Sequence, residues 1–372
     1  MLTKYYDFNS GRVTESSLWR STDYGTTYEK LNEKVGPKTI LSYLYVSPNN
    51  KRKIMLLTDP EVESSLLISL DEGATYQKHS LAFDILSLLF HPEQEDWILA
   101  YSHDQKLYVS VEFGKRWQLV HDGVIPNRFY WSRMGLDKEQ GMIHLEISVS
   151  DGRSQYITCK LQNCSDGNKA KPFPGFIIPN SLVVQDEYVF IQVPVGGQSV
   201  HYVSYKRNAF YPMKLPKYTL PKDLQIISTD DNQVVAAIQD WHQNDSYNLY
   251  MSESRGLFFT LMLENAVSSG GPEGNIMIDL YEVGSDENPY TSGNIVSKDS
   301  APGVIIASGV VGPELTSNNV SIFITSDAGN SWREVQLSFD EGRNWDKYSF
   351  TSSPLYVDGV LGEPGEDTLI MT

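Results

Sequence analysis

Short segments in which apolar and polar residues alternate recur along the whole chain: SSLWRS (16–21), SLLISL (65–70), KLYVSV (106–111), VHYVSY (200–205), NLYMSE (248–253) and VSIFIT (320–325). Alternation with a period of two predicts strands with one face buried. Each strand runs into a variant of one octapeptide, S/T-x-D-x-G-x-S/T-W/Y. The copies are STDYGTTY (21–28), SLDEGATY (69–76), SVEFGKRW (110–117), SYKRNAFY (204–211), SESRGLFF (252–259), TSDAGNSW (325–332) and SFDEGRNW (338–345). Such a unit predicts a hairpin turn. The Asp accepts bonds from nearby backbone amides, the Gly takes a left-handed conformation, and the closing aromatic enters the core. Asn208, standing where the other copies have Gly, is expected to meet the same backbone demand.

The octapeptide is the Asp-box of β-propellers. Its residues here are Asp23 and Gly25, Asp71 and Gly73, Glu112 (in the Asp place) and Gly114, Gly256, Asp327 and Gly329, and Asp340 and Gly342. One acid per repeat, held by its own loop, predicts a structural rather than a catalytic role, and no catalytic residue is assigned. From start to start the copies lie about 48, 41, 94, 48, 73 and 13 residues apart. The 94 divides into two periods, the unmarked one falling near Thr158. A period of 40–50 residues of strand pattern predicts four-stranded antiparallel propeller blades. An interval of 73 suits neither one blade nor two, and 13 cannot hold the strands between successive turns. Segments are therefore expected to be missing within about 281–290 and 332–341, inside a single all-β propeller domain covering 1–372.

Composition adds limits. The formal net charge is −17, from 47 acidic and 30 basic residues, which argues against nucleic acid as a partner. The acidity suits basic protein ligands instead, or merely solubility. The longest apolar run, GVIIASGVV (303–311), is too short to span a bilayer, and MLTKYYDFNSG does not read as a signal peptide. Cys159 and Cys164 are spaced for a disulfide across a tight hairpin, with two free thiols as the alternative. The seven His are scattered without metal-binding spacing, so no metal and no cofactor are expected. Asn163, Asn244 and Asn319 begin N-x-S/T sequons.

Five stretches resemble the SorCS branch of the sortilin family of sorting receptors: YYDFNSGRVTESSLWRSTDYGTTYEKLNEKVG (5–36), KLPKYTLPKDLQIISTDDNQV (214–234), GPEGNIMIDLYEV (271–283), NPYTSG (288–293) and DGVLGEPGEDTLIMT (358–372). The resemblance implies a ten-bladed propeller, here shortened in two places, near 284–287 and 335–337, on the luminal or extracellular side of a single-pass membrane receptor of the cell surface, Golgi and endosomes. It places the cysteines in an oxidising compartment. The cysteine-rich modules, transmembrane helix and tail of such receptors are absent from the chain as given. Implied partners are extracellular polypeptides, among them basic neurotrophins, propeptides and neuropeptides, and a homodimer is a further expectation.

In sortilin an arginine in the central tunnel holds a peptide carboxylate. Matching the strands places Phe190, Gln192, Leu224, Gln225 and Ile226 near the equivalent wall and the arginine's place near Ser199, with no arginine before Arg207. Such a grip on a carboxylate is thereby put in doubt, and ordinary strand packing is the competing account of these residues. A trimmed propeller scaffold without ligand is a second reading. A third is a sialidase-like glycosidase, which lacks here its arginine cluster and its N-terminal Arg-Ile-Pro or Arg-Leu-Pro signature.

Overall fold

The structure is a computed structural model. It describes residues 1–267 apart from 140, 162–163, 165, 217–220, 231–232 and 244–245; beyond these it describes only the strand segments 274–277, 295–297, 305–312, 320–325, 333–334, 337–338, 345–346, 360–361 and 369–370. Asp327, Gly329, Asp340, Gly342, Asn163, Asn244, Asn319, the expected junction near 284–287 and residues 335–336 of the junction near 335–337 lie outside the described residues.

The predicted all-β architecture is present as a succession of antiparallel sheets. The first holds β1 (Leu2–Tyr6), β2 (Val13–Arg20) and β3 (Glu29–Lys30), and a single turn of helix, α1 (Asn32–Val35), leads on. The second sheet is β4 (Leu41–Val46), β5 (Ile54–Thr58), β6 (Ser65–Ser69) and β7 (Gln77–Ser80). The third is β8 (Ile85–Phe90), β9 (Ile98–Ser102), β10 (Leu107–Ser110) and β11 (Gln118–His121). The fourth is β12 (Val124–Trp131), β13 (Met142–Ser148) and β14 (Ser154–Lys160). The fifth is β15 (Val183–Gln185), β16 (Tyr188–Val195), β17 (Gln198–Tyr205) and β18 (Tyr211–Pro212). β19 (Pro221–Asp230), β20 (Gln233–Asp240), β21 (Ser246–Ser252) and β22 (Phe259–Val267) follow in the sixth. Strands pair in chain order, as in propeller blades. In the first, second, third, fifth and sixth sheets the octapeptide joins the last two strands.

The fourth sheet has no such turn where the spacing placed one. Thr158 lies inside β14 and exchanges backbone bonds with Ala170, and the intervening loop carries the Cys159–Cys164 disulfide, with the two Cα atoms 5.1 Å apart. Beyond β22 the one-sheet-per-blade pattern also ends. Gly274–Met277 pairs with β22 in parallel and with Ile305–Gly312 in antiparallel fashion. An edge strand with a free ladder thus takes up the next extended segment.

The chain divides into two compact units, 1–131 with 141–149 and 157–170, and 132–140 with 150–156 and 171–372. In the first unit, alternation assigns each residue of a strand to a neighbouring sheet. Leu56 and Leu67 pack with Leu18 of the first sheet, with Leu31 and Val35 of the connection after it, and with Leu41 at the start of β4. Met55, Leu57, Leu66 and Ile68 pack instead with Phe90, Ile98 and Phe113 of the third. Leu99, Tyr101, Leu107 and Val109 turn the other way, towards Val124, Phe129, Ile143 and Leu145. The middle strands are consequently buried on both faces: every residue of β6 and of β9 is buried. This corrects the expectation of one buried face, because stacked sheets cover both sides of a strand. In the second unit the fifth and sixth sheets share a core of Val183, Tyr188, Phe190 and Val203 against Leu224, Ile226, Val234, Ala236, Ile238, Tyr250 and Phe259.

Candidate functional site

The recurring turn is built the same way in its two regular copies. The Ser21 hydroxyl donates to Asp23 Oδ1 at 2.8 Å and accepts the Gly25 amide at 2.7 Å. Asp23 Oδ1 accepts the Thr27 amide at 2.8 Å, and Oδ2 accepts the Thr27 hydroxyl at 2.7 Å. Ser69, Asp71, Gly73 and Thr75 repeat the four bonds at 2.8, 2.8, 2.9 and 2.7 Å. The central pair of each turn is left-handed, with φ of 56° and 87° at Tyr24 and Gly25 and of 59° and 81° at Glu72 and Gly73. That is the turn whose twist suits a hairpin. The Thr side chain, the Thr amide and the Ser hydroxyl stabilise the carboxylate, in that order, and hold both Asp23 and Asp71 down to about 2. Each acid is thus occupied by its own loop.

The other copies show which parts of the motif matter. In the third, Gly114 donates to Ser110 at 2.7 Å, while Glu112 only approaches Arg116, at 3.7 Å. The φ of 83° at Gly114 requires glycine, and a Cβ there would lie 2.6 Å from the Met55 methyl, which would have to move aside. In SESRGLFF the carboxylate comes one position early. Glu253 accepts the Leu257 amide at 2.9 Å and the Arg255 amide at 3.0 Å, and Gly256 keeps a φ of 69°. Sequence reading missed Glu253 because it sought the acid two residues before the Gly; from three before it, Glu253 accepts the amide one residue after the Gly, where Asp23 and Asp71 accept the amide two after. In SYKRNAFY the turn slides back by one. Lys206 and Arg207 are left-handed, with φ of 50° and 59°, and Asn208 is not. The shift frees Arg207 to clamp Asp137 through Nε at 2.9 Å and Nη2 at 3.2 Å. The closing aromatics also divide: Phe259 is in the core, whereas Tyr28 and Tyr211 stay exposed. Tyr28 and Tyr76 instead lay their hydroxyls over the glycine of their own turn.

The six residues matched to a ligand wall fall into two sets. Phe190, Leu224 and Ile226 are buried between the fifth and sixth sheets, 5 to 7% exposed. Gln192 and Gln225 are half-buried and Ser199 is exposed beside the β16–β17 hairpin. The Ser199 hydroxyl donates to Gln192 Oε1 at 2.9 Å. Gln192 faces His201 across the ladder. Asp223, on β19, accepts the Tyr247 hydroxyl at 2.9 Å, the Gln225 amide nitrogen at 3.3 Å and the Leu224 backbone amide at 3.0 Å. Burial pushes the His201 imidazole down to about 4 against the opposing pull of Asp223. Burial and the bond to Asp223 push Tyr247 up to about 12. Sequence reading did not single out His201, Asp223 or Tyr247, which are far apart in the chain and carry no motif.

These features have a family. The model described as Sortilin, neurotensin receptor 3 (Sortilin-Vps10) matches residues 16–285 and 278–337. The chain belongs to the Sortilin-Vps10 family. It is 57% identical to the human VPS10 domain-containing receptor SorCS1, 52% to human SorCS3 and 38% to human SorCS2, each match taking in 100% of the chain. The chain spans 39%, 38% and 40% of those relatives' lengths. All three are named receptors. Among solved structures, the GH74 enzyme of Niastella koreensis aligns with 86% of this chain and 63% of its own at 13% identity and a TM-score of 0.43, which carries no argument. No helix among the described residues is long and apolar enough to cross a membrane.

Proposed function

We propose that this chain is the ligand-binding propeller of a sorting receptor, which takes extracellular polypeptides and performs no reaction. The observation that carries the reading is the 52–57% identity over the full chain to proteins named SorCS receptors. It is supported by Asp23 and Asp71, which are spent on their own turns. On this reading Gln192, Ser199 and Gln225 offer polar contacts above the buried Phe190, Leu224 and Ile226. The chain faces the lumen or the cell exterior, as part of a membrane receptor of the cell surface, Golgi and endosomes. Asn163, Asn244 and Asn319 carry glycans, and the acidic surface attracts basic neurotrophins and propeptides.

The test is surface-immobilised protein against a panel of neurotrophins, propeptides and neuropeptides. Saturable binding at or below micromolar concentration is expected. A cooperatively folded chain that binds none of them would sink the reading and favour a trimmed propeller that has lost its ligand surface. That second reading draws on the length of the matches, which run over 458 residues against the 372 of this chain, and on the family model's matching in two pieces that overlap at 278–285. Turnover of a fluorogenic sialoside would overturn both.

A further inference from the structure

The third turn, SVEFGKRW (110–117), keeps the frame of the two regular copies without their bonded carboxylate. In those copies the Asp takes three bonds, from the Ser hydroxyl, from the amide four residues after the Asp, and from the Thr hydroxyl at that same position. Glu112 makes none of them. Its extra methylene carries the acid outward, to 3.7 Å from Arg116 Nε, beyond hydrogen-bond reach. The donors nevertheless stay in place. The Ser110 hydroxyl accepts the Gly114 amide at 2.7 Å and the Glu112 amide at 3.2 Å. Its own proton has no acceptor among the described residues, although Ser110 is only 1% exposed, and such a donor left unmet is costly. The Arg116 amide, standing where Thr27 and Thr75 donate theirs, also meets no acceptor among the described residues. In place of a Thr hydroxyl that position carries a guanidinium, 85% exposed. Lys115 is exposed beside it, so the turn holds two bases against one acid on a chain of net charge −17. A groove of about 200 Å³ opens at the same turn, lined by Val109, Val111, Glu112, Arg116, Trp117 and Gln118.

We propose that the vacated place receives a carboxylate of a polypeptide ligand, with an apolar ligand residue beside it in the groove. The incoming acid completes in trans what Asp23 and Asp71 complete in cis. The Ser110 hydroxyl and the Arg116 amide donate to it, and the Arg116 guanidinium adds a charge-assisted bond. The turn holds Ser110 and the Arg116 amide before any ligand arrives, so little ordering is lost on binding. Val111 and Trp117 give the groove its apolar wall. That the acid belongs to a polypeptide rests on the receptor reading; the preference for a carboxylate does not.

The probes are fluorescent peptides titrated with the full chain and followed by anisotropy. Two are blocked at both ends, Gly-Leu-Glu-Gly and its Gln twin, and a third, Gly-Gly-Leu, ends in a free carboxylate. An acidic peptide is expected to bind about tenfold more tightly than the Gln twin, the value of a charge-assisted hydrogen bond. Preference for either acidic peptide supports the proposal and tells a side-chain acid from a chain end. Glu112→Asp rebuilds the regular motif. Its shorter acid should take the Ser110 and Arg116 donors for itself, raise the melting temperature by about 1–3 °C and abolish the preference. Arg116→Gln alters an exposed side chain and keeps the amide, so it should weaken the acidic peptide several-fold without moving the melting temperature.

Equal binding of the acidic peptides and the Gln twin, or a preference that survives Glu112→Asp, overturns the proposal. The probes are not members of the ligand panel, so failure of the panel counts against the receptor reading alone.

Discussion

At the scale of single residues, the turn motif separates into parts with different physical duties. The Asp answers unpaired amides, the Ser ties Asp to Gly, and the Gly supplies a backbone state that other residues reach only with strain. Gly114 bears both kinds of demand, so Gly114→Ala should cost more than about 1 kcal/mol and lower the melting temperature by several degrees. Tyr24, at the preceding left-handed position, is fully exposed, and Tyr24→Asn should be neutral or slightly stabilising in the same measurement. The two regular acids make a pH prediction. Their folded pKa values, about 2, lie below the ordinary carboxylate value. Their contribution is therefore complete above pH 4 and declines as the pH falls towards 2. Asp23→Asn combined with Asp71→Asn should flatten the acid limb of stability between pH 4 and 2, read by thermal melts.

At the scale of elements, buried polar contacts decide where hairpins stop and which loops they hold. Arg207 and Asp137 are 14% and 5% exposed in their side chains. Removing one partner leaves a buried charge, so Asp137→Ala should cost about 3–5 kcal/mol. The double replacement Arg207→Met with Asp137→Leu should recover much of that loss in denaturant titrations. This pair explains why the fifth sheet's turn departs from the expected Asn208 geometry: a side-chain contact outweighed a local backbone preference. The Cys159–Cys164 link ties the end of β14 to the loop that stands in for a turn motif in the fourth sheet. Replacing both cysteines with serine should cost about 2 kcal/mol, the loop-closure value for so short a ring. His201 supplies a third case. Its folded pKa, about 4, lies below the ordinary histidine value, so its contribution is present above about pH 6.5 and is lost as the pH falls towards 4. The size is about 3 kcal/mol. Thermal melts over that window should fall more steeply for the natural chain than for His201→Gln.

At the scale of the whole molecule, the sheets follow one another along the chain because each strand pairs with the next, while alternating side chains knit successive sheets together within each unit. Leu66 is fully buried towards the third sheet, and Leu66→Ala should cost about 2–5 kcal/mol, visible as a shift in the denaturation midpoint. Long-range attraction belongs to this scale too. With a net charge of −17, association with a basic polypeptide should slow as salt rises from low to physiological concentration, more in the association rate than in the dissociation rate. Stopped-flow mixing at two ionic strengths reads this directly.

The sequence by itself determined the strand class, the turn positions and their period, because a two-residue alternation and a left-handed Gly are local demands that leave local marks. It determined the family as well, since five stretches spread along the chain carry the resemblance. It did not determine which faces are buried. SLLISL has the same pattern whether one or two sheets cover it, and only the stacked neighbours on both sides settle that β6 is wholly interior. Nor did it reveal Glu253 in place of an Asp, the slipped turn at Lys206 and Arg207, or the bond of Tyr247 to Asp223. Those depend on contacts between residues distant in the chain, where a reachable donor or counter-charge decides the outcome and no residue announces its partner beforehand.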